Sequence, residues 1–343
     1  MKKITENKNK PSLRLNPFSM HVNPNLFEKA TDEEKQELVV MRKGTSLWRD
    51  AMRRFRKNKF AMVALVLIIA LFLFAFVGPL FSPYTYDQFN DGHEDQNPSW
   101  THPFGTDKFG RDLLVRNMYG ARISLSIGVI AALLTFVIGS TYGAIAGFVG
   151  GKTDNIMMRL IDIIYSIPDL LIIILLTVTL KEPLEKLLES SALLSGISSL
   201  GPAFFAMLIV FSLLYWGTMA RIVRGEVLRI KEQEYVLAAK ALGAGKSRII
   251  RQHILPNCIG PIIVTTTLQI PSAIFTESFL SYIGLGISAP LASLGSMVTD
   301  ALAGVYSYPT RVVFPAVIIA LIILAFNTVG DALRDVLDPR MKK

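Results

Sequence analysis

The stretch AMVALVLIIALFLFAFV, residues 61–77, contains no polar side chain. A helix needs roughly 20 mostly apolar residues to cross about 30 Å of hydrocarbon, because each residue adds about 1.5 Å. Inside lipid the backbone must satisfy its own hydrogen bonds, so an apolar run of this length forms a helix. The stretch therefore predicts a membrane-spanning helix and places the chain among integral membrane proteins.

Five further runs meet the same criterion. Of the 343 residues, 51% are hydrophobic and only 18% are charged, a composition outside the range of ordinary soluble domains. The six predicted spans are residues 60–81, 123–149, 160–180, 202–220, 259–285 and 312–330. We therefore predict an all-α membrane protein with about six transmembrane helices.

The net charge of +9 is unevenly distributed along the chain. Lys and Arg outnumber Asp and Glu by 15 to 7 before residue 60 and by 8 to 3 in residues 221–251, whereas residues 82–122 carry 4 against 6. Positive charge accumulates on the cytoplasmic side of membrane proteins. Both termini and the loop at 221–251 are therefore predicted to be cytoplasmic. This topology accounts for the net positive charge without a nucleic-acid partner.

The region before the first span divides into two predicted parts. Residues 1–44 are polar and charged, so we expect a disordered cytoplasmic tail. Residues 45–59 place apolar side chains at helical spacing opposite a row of arginines, which predicts an amphipathic helix in the headgroup layer. Residues 60–122 are then the first transmembrane helix with an extracytoplasmic loop, and residues 123–340 are the core.

The extracytoplasmic loop contains HPFGTDKFGRDLLVRNMYGAR, residues 102–122. We interpret it as a packed structural loop, because its glycines follow no strand and its acidic residues match no metal-ligand spacing. A metal bound by His93 and His102 is the alternative. The single cysteine, Cys258, excludes an intramolecular disulfide and a cysteine-based zinc cluster, and we assign no metal site.

The cytoplasmic loop at 221–257 reads RIVRGEVLRIKEQEYVLAAKALGAGKSRIIRQHILPN. Its composition predicts a helix at 234–242, a turn at Gly243 and Gly245, and a second short helix at 246–255 that Pro256 ends. Gly245-Lys246-Ser247 imitates the end of a phosphate-binding loop. However, Lys240 stands where that motif requires its first glycine, and no strand precedes it, so ATP binding by this chain is not predicted.

Ala238-Ala239, then Gly243, then Leu255-Pro256 resembles the EAA loop of the permease subunits of ABC importers, although Leu237 stands where that family usually has Glu. A wider set of motifs resembles the C-type permeases of oligopeptide and dipeptide importers over residues 46–340. These motifs are EYVLAAKALGA (234–244), HILPN (253–257), FGTDKFGRD (104–112), GARISL (120–125), FLSYIGLG (279–286), PLASLG (290–295) and DALRDVLDP (331–339).

The resemblance implies a permease that is not an enzyme and binds no cofactor, since ATP and magnesium belong to partner ATPases. The implied partners are a second homologous permease, two cytoplasmic ATPases and an extracytoplasmic peptide-binding protein, in a bacterial plasma membrane that the chain crosses several times. Oligopeptides are favoured as cargo, with dipeptides, nickel and antimicrobial peptides left open. The residues implied to couple to the ATPase are Glu234, Tyr235, Ala238, Ala239, Lys240, Gly243, Ala244, Leu255 and Pro256.

Polar residues within spans are costly and usually face the bundle interior or a watery cavity. Asp162, Glu277 and Asn327 are the candidates, either as lining of the path or as links between helices. Asp162 and Asp169 flank Pro168, and the helical spacing suggests that Arg159 pairs with Asp162. An ion-driven secondary transporter would use such acids as ion sites; the EAA-type loop argues against it. No catalytic constellation supports a membrane-embedded enzyme.

Overall fold

The apolar runs of the sequence form long helices in the computed structural model, which describes residues 47–190 and 196–337. The predicted tail at 1–44 lies outside these residues. The chain divides into two units, Met1–Asp50 and Ala51–Lys343, and the second unit carries the features discussed below. In chain order the α-helices of the described part are α1 (Leu47–Lys57), α2 (Lys59–Phe72), α3 (Leu113–Val149), α4 (Gly151–Ile164), α5 (Asp169–Ser190), α6 (Gly201–Leu214), α7 (Trp216–Lys231), α8 (Glu234–Ala241), α9 (Lys246–Ile249), α10 (Leu255–Tyr282), α11 (Leu294–Leu302) and α12 (Thr310–Leu337).

Within residues 47–190 and 196–337, five helical runs are long and apolar enough to cross a membrane. They are Lys59–Phe81, Leu113–Val149, Ser198–Lys231, Lys246–Tyr282 and Thr310–Leu337. The pair α4 and α5 gives a sixth candidate if the two helices count as one span. The predicted all-α fold with about six spans is therefore confirmed.

The third predicted span, residues 160–180, is wrong as a single straight helix. Helix α4 ends at Ile164, α5 begins at Asp169, and the two axes differ by 77°. Pro168 explains the break, because a proline has no N–H to donate and disfavours helical backbone in the residue before it. Helix α5 then continues to Ser190, so residues 184–190 are its last turns and not the start of a separate helix.

Pro256 does not end a helix as predicted. The helix that begins at Lys246 continues through a wider π-helical turn, Ile250–Ile254, into α10. Pro256 follows this π-helical turn, as the second residue of α10. The end of the loop at 221–257 and the fifth predicted span therefore share one continuous helical run, Lys246–Tyr282.

Helix α3 packs closely against α7 through three glycines spaced four residues apart: Gly139, Gly143 and Gly147. A β-carbon at Gly139 would lie 2.6 Å from the carbonyl oxygen of Trp216, and one at Gly143 would overlap the carbonyl oxygen of Ala220. Small residues at this spacing let helix backbones approach closely within membranes. The contact fixes α7, and with it the chain that enters the cytoplasmic loop.

The loop between the first two spans is packed and not extended. His102 is buried, and its Nδ1 lies 2.7 Å from the Asp112 carboxylate. Asp112 also caps α3 by accepting a hydrogen bond from the Val115 amide at 2.9 Å. Within residues 47–190 and 196–337, no group of three His, Cys, Asp or Glu side chains has metal-site geometry. The His102–Asp112 contact ties the loop to the start of α3.

Candidate coupling element and membrane cavity

Helix α8 is a short, mostly exposed helix. It follows α7 and is followed by a turn that contains Gly243 and Gly245. Its sequence EYVLAAKA contains good helix formers. Gly243 adopts a φ of +82°, the left-handed conformation that commonly ends helices. The amides of Gly243 and Ala244 donate to the carbonyls of Lys240 and Ala239 at 3.0 Å each. The local sequence therefore defines the C-terminal end of α8.

One side of α8 is anchored in an apolar cluster at the cytoplasmic ends of the spans. Val236 is only 3% exposed and packs with Val223 and Val227 of α7 and with Ile249 and Ile254 of the following helical run. Two predicted coupling residues, Ala244 and Leu255, pack on the edge of the same cluster. Ala244 and Leu255 therefore pack on the inner side of α8 and its turn, and they do not form the outer surface.

The outer surface of α8 and its turn carries most of the other predicted residues. Glu234, Tyr235, Ala238, Lys240 and Gly243 are exposed, Ala239 is half-buried, and Pro256 is exposed on α10. Leu242 is 88% exposed and Leu237 is 52% exposed. The two leucines add apolar surface to the exposed side of α8. Sequence reasoning did not select Leu242; its place beside the glycine turn is the signal that could have found it.

Two ion pairs connect α7 to α4 below the break in the third span. Arg224 binds Asp154 through Nε and Nη2 at 2.5 and 2.6 Å. The Arg221 Nη2 lies 2.8 Å from the Asp162 carboxylate. The predicted Arg159–Asp162 pair is therefore wrong, because α7 lies beside α4 and brings Arg221 to Asp162. The Asp162 side chain is 65% exposed, so the pair contributes little stability.

Glu277 is completely buried between α3 and α10. Its carboxylate accepts hydrogen bonds from Ser124 at 2.7 Å, Ser281 at 2.8 Å and Ser278 at 3.3 Å. Ser281 in turn accepts from the Ile287 amide at 3.1 Å. Glu277 thus connects two helices and the chain that leaves α10. Glu277 does not line the cavity described next.

A cavity of about 550 Å³ lies beside the break between α4 and α5. Asn327 of α12 is exposed at its wall, together with Asp169 at the start of α5. The lining residues are Ile164, Tyr165, Ile167, Asp169, Ile172, Leu214, Tyr215, Thr218, Gln269, Pro271, Ser272, Phe275, Thr276, Ile323 and Asn327. Of the candidate polar residues within the spans, only Asn327 lines this cavity.

Comparison with known proteins agrees with the motifs. Residues 139–343 match the family described as binding-protein-dependent transport system inner membrane component. Residues 46–98 match the N-terminal TM domain of oligopeptide transport permease C. A solved structure, the crystal structure of an amino acid ABC transporter with histidines, has a TM-score of 0.45 at 18% identity, covering 64% of this chain and 92% of that chain. A similarity that low supports no argument about this chain.

Full-length relatives are considerably more similar. The oligopeptide transport system permease protein OppC of Bacillus subtilis (strain 168) is 48% identical over 93% of this chain and 98% of that protein. The dipeptide transport system permease protein DppC of the same organism is 46% identical over 91% and 92%. OppC of Escherichia coli (strain K12) is 38% identical over 87% and 92%. The chain therefore belongs to the binding-protein-dependent transport system inner membrane components, as a multi-span permease of the OppC and DppC type.

Proposed function

We propose that this chain forms half of the translocation pore of an ATP-driven oligopeptide importer and docks on a separate ATPase through α8. The proposal for the cargo is supported by the 48% identity to a protein named for oligopeptide transport and by the match of residues 46–98 to oligopeptide permease C. The other half of the pore is a second, homologous permease. Two cytoplasmic ATPases hold ATP and magnesium, and an extracytoplasmic binding protein delivers peptide.

The two-sided arrangement of α8 carries the docking proposal. Its inner side is fixed by Val236 in the apolar cluster, and its outer side presents Tyr235, Leu237 and Leu242 to solvent. Removing a leucine side chain from water contributes roughly 1.5–3 kcal/mol of favourable free energy. Binding of this surface in a groove of another subunit would therefore be favourable. Displacement of α8 by that subunit would be passed directly to α7 and α10, which share the cluster.

The remaining regional assignments are part of the same proposal. Residues 1–44 form a cytoplasmic tail, and residues 45–59 lie in the headgroup layer. Helix α1 supports the second assignment, since it ends in a basic last turn with Arg54, Arg56 and Lys57. Residues 60–122 form an added span and outer loop, and residues 123–340 form the pore-building core with its coupling loop at 221–257.

Cysteine cross-linking tests the docking. Ala238→Cys and Leu242→Cys, each in the assembled transporter, should cross-link to a cysteine placed in the presumed groove of the ATPase. Trp100→Cys is the matched control, because Trp100 is fully exposed but lies in the loop between the first two spans. The natural Cys258 is buried, so background reaction should be small.

The expected result is cross-linking from positions 238 and 242 and none from position 100. Absence of a cross-link from both α8 positions, in a complex that still hydrolyses ATP, would contradict the docking. Peptide uptake in vesicles that persists without ATP but collapses with an ion gradient would contradict ATP-driven transport.

A further inference from the structure

The 550 Å³ cavity lies among residues of the membrane-spanning segments. Leu214, Tyr215 and Thr218 lie halfway along the run Ser198–Lys231, and Ile323 and Asn327 lie halfway along α12. The break between α4 and α5 lies at the same level, because both of its flanking residues, Tyr165 and Asp169, line the cavity. The cavity therefore lies within the depth of the apolar spans, between their middle and the end that leads to Arg221, where polar groups are costly in contact with lipid.

The wall of this cavity is nevertheless polar. Thr218, Gln269, Ser272, Thr276 and Asn327 contribute hydroxyl and amide groups from three helical runs. The Tyr215 hydroxyl and the Thr276 hydroxyl are joined at 2.8 Å, and Ser272 and Asn327 are exposed. Polar side chains at this depth face a water-filled cavity and not hydrocarbon. Hydroxyl and amide groups also match the N–H and C=O groups of any peptide backbone.

Among the described residues that line the cavity, Asp169 is the only one with an acidic or basic side chain. Its carboxylate accepts a hydrogen bond from the Leu170 amide at 2.8 Å, and it takes part in no ion pair within the described residues. The nearby Arg221 does not neutralise it, since Arg221 pairs with Asp162 at 2.8 Å. The cavity therefore carries an uncompensated negative charge.

We propose that this cavity is a cargo-contact site in the translocation path and that Asp169 favours the passage of peptides with a cationic side chain. The inference rests on the proposed function, because it presupposes that peptide passes along this face. The neutral hydroxyl and amide groups contact the backbone of any peptide, whereas the Asp169 carboxylate attracts the ammonium or guanidinium group of lysine or arginine. Asp169 is thus a specificity residue placed after the binding protein.

The test measures initial uptake by the complete transporter in proteoliposomes. Three peptides of equal length differ at one residue, which is lysine, norleucine or glutamate. Asp169→Asn removes the charge at nearly constant shape, and Asp169→Glu retains it. Glu185→Gln is the matched control, because it removes one exposed carboxylate from the same helix outside the cavity. The binding protein is the same throughout, so its own preference cancels when each variant is compared with wild type.

In Asp169→Asn the ratio of lysine-peptide to norleucine-peptide uptake should fall about fivefold, as expected for a partly exposed charge pair. In the same variant the ratio of glutamate-peptide to norleucine-peptide uptake should rise. Asp169→Glu and Glu185→Gln should retain both wild-type ratios. If an Asp169→Asn complex transports peptide with unchanged uptake ratios, the inference about Asp169 is overturned while the proposed function stands. Loss of the second permease from the purified Asp169→Asn complex would also overturn that inference, because the carboxylate would then pair with that subunit. A wild-type complex that transports none of the peptides would overturn the proposed function itself.

Discussion

Glu277 is a buried carboxyl group whose hydrogen-bond partners are serine hydroxyl groups. Three serine side chains donate to it from α3 and α10. A buried charge is tolerated only when it is fully hydrogen-bonded, and hydrogen bonds to charged groups are the stronger kind. Ser124 also accepts from the Leu294 amide at 3.4 Å, so Glu277 organises the chain between α10 and α11 through its serines.

Replacement of Glu277 should destabilise the protein in proportion to the hydrogen bonds lost. Glu277→Ala leaves three buried hydroxyl donors without their acceptor, at about 1–3 kcal/mol each. Glu277→Gln keeps one acceptor oxygen and should cost less. Thermal unfolding of the purified transporter should rank wild type above Glu277→Gln and Glu277→Ala lowest. A Glu277→Ala protein as stable as wild type would contradict this role.

Individual polar residues were predictable from sequence only in part. Glu277 and Asn327 stood out because they interrupt apolar runs, and the break at Pro168 could be expected from the proline. Which way each side chain faces could not be predicted. Arg221 and Asp162 are 59 residues apart, and sequence spacing along one helix pointed to Arg159 instead.

At the scale of elements, the contact between α3 and α7 depends on the absence of side chains. Gly139, Gly143 and Gly147 form one row, and β-carbons there would meet the backbone of α7 or the side chains of Met219 and Val227. Gly225 lies on α7 itself, but a β-carbon there would meet nothing within 4 Å. The two helices therefore contain both critical and dispensable glycines.

Gly143→Ala should separate α3 from α7 and cost about 1–3 kcal/mol by overpacking. Gly225→Ala should be neutral or stabilising by up to about 1 kcal/mol, because alanine is the better helix former. The yield of monodisperse protein and its resistance to thermal unfolding would show the difference. Equal behaviour of the two variants would mean that the close approach of the helices does not matter for stability.

Hydropathy predicted which segments are helical but not how they join. Pro168 separates two helices that differ in direction by 77°, whereas Pro256 lies inside a continuous run. The difference is local: before Pro256 a π-helical turn provides the room that a proline ring needs. Such a turn depends on packing of Ile249 and Ile254 against α7, which propensity does not reveal.

At the scale of the whole second unit, the spans differ in how much of their surface is covered. Helix α2 leaves Val63, Val66 and Ile69 more than half exposed, while Ala61 and Ala64 pack against Val329 and Ala332 of α12. The exposed side of α2 is the side expected to face lipid. The first span is thus attached to the edge of the helical core.

The topology predicts which exposed positions react from each side of the membrane. In right-side-out vesicles, an impermeant thiol reagent should label Trp100→Cys directly. It should label Leu242→Cys only after permeabilisation, because α8 is cytoplasmic. Both native side chains are strongly exposed, so access and not burial would decide the result. Labelling of position 242 in sealed vesicles would contradict the assignment.

The six spans and the family were within reach of the sequence, because hydropathy and short motifs are encoded locally. The cavity was not, since its walls come from α4, α5, α6, α7, α10 and α12, and no motif marks their meeting. The sequence picked out Asn327, but only the fold puts it across from Asp169.

The unbroken run Lys246–Tyr282 has a mechanical consequence. Its 37 residues make a rod about 55 Å long. If the rod pivots at Gln269, beside the cavity, its cytoplasmic arm is about 35 Å and its outer arm about 20 Å. A tilt of about 5° would then shift the α8 end by about 3 Å and the outer end by about 2 Å in the opposite direction. A displacement of the cytoplasmic end would therefore reach the outer end with smaller amplitude and opposite direction.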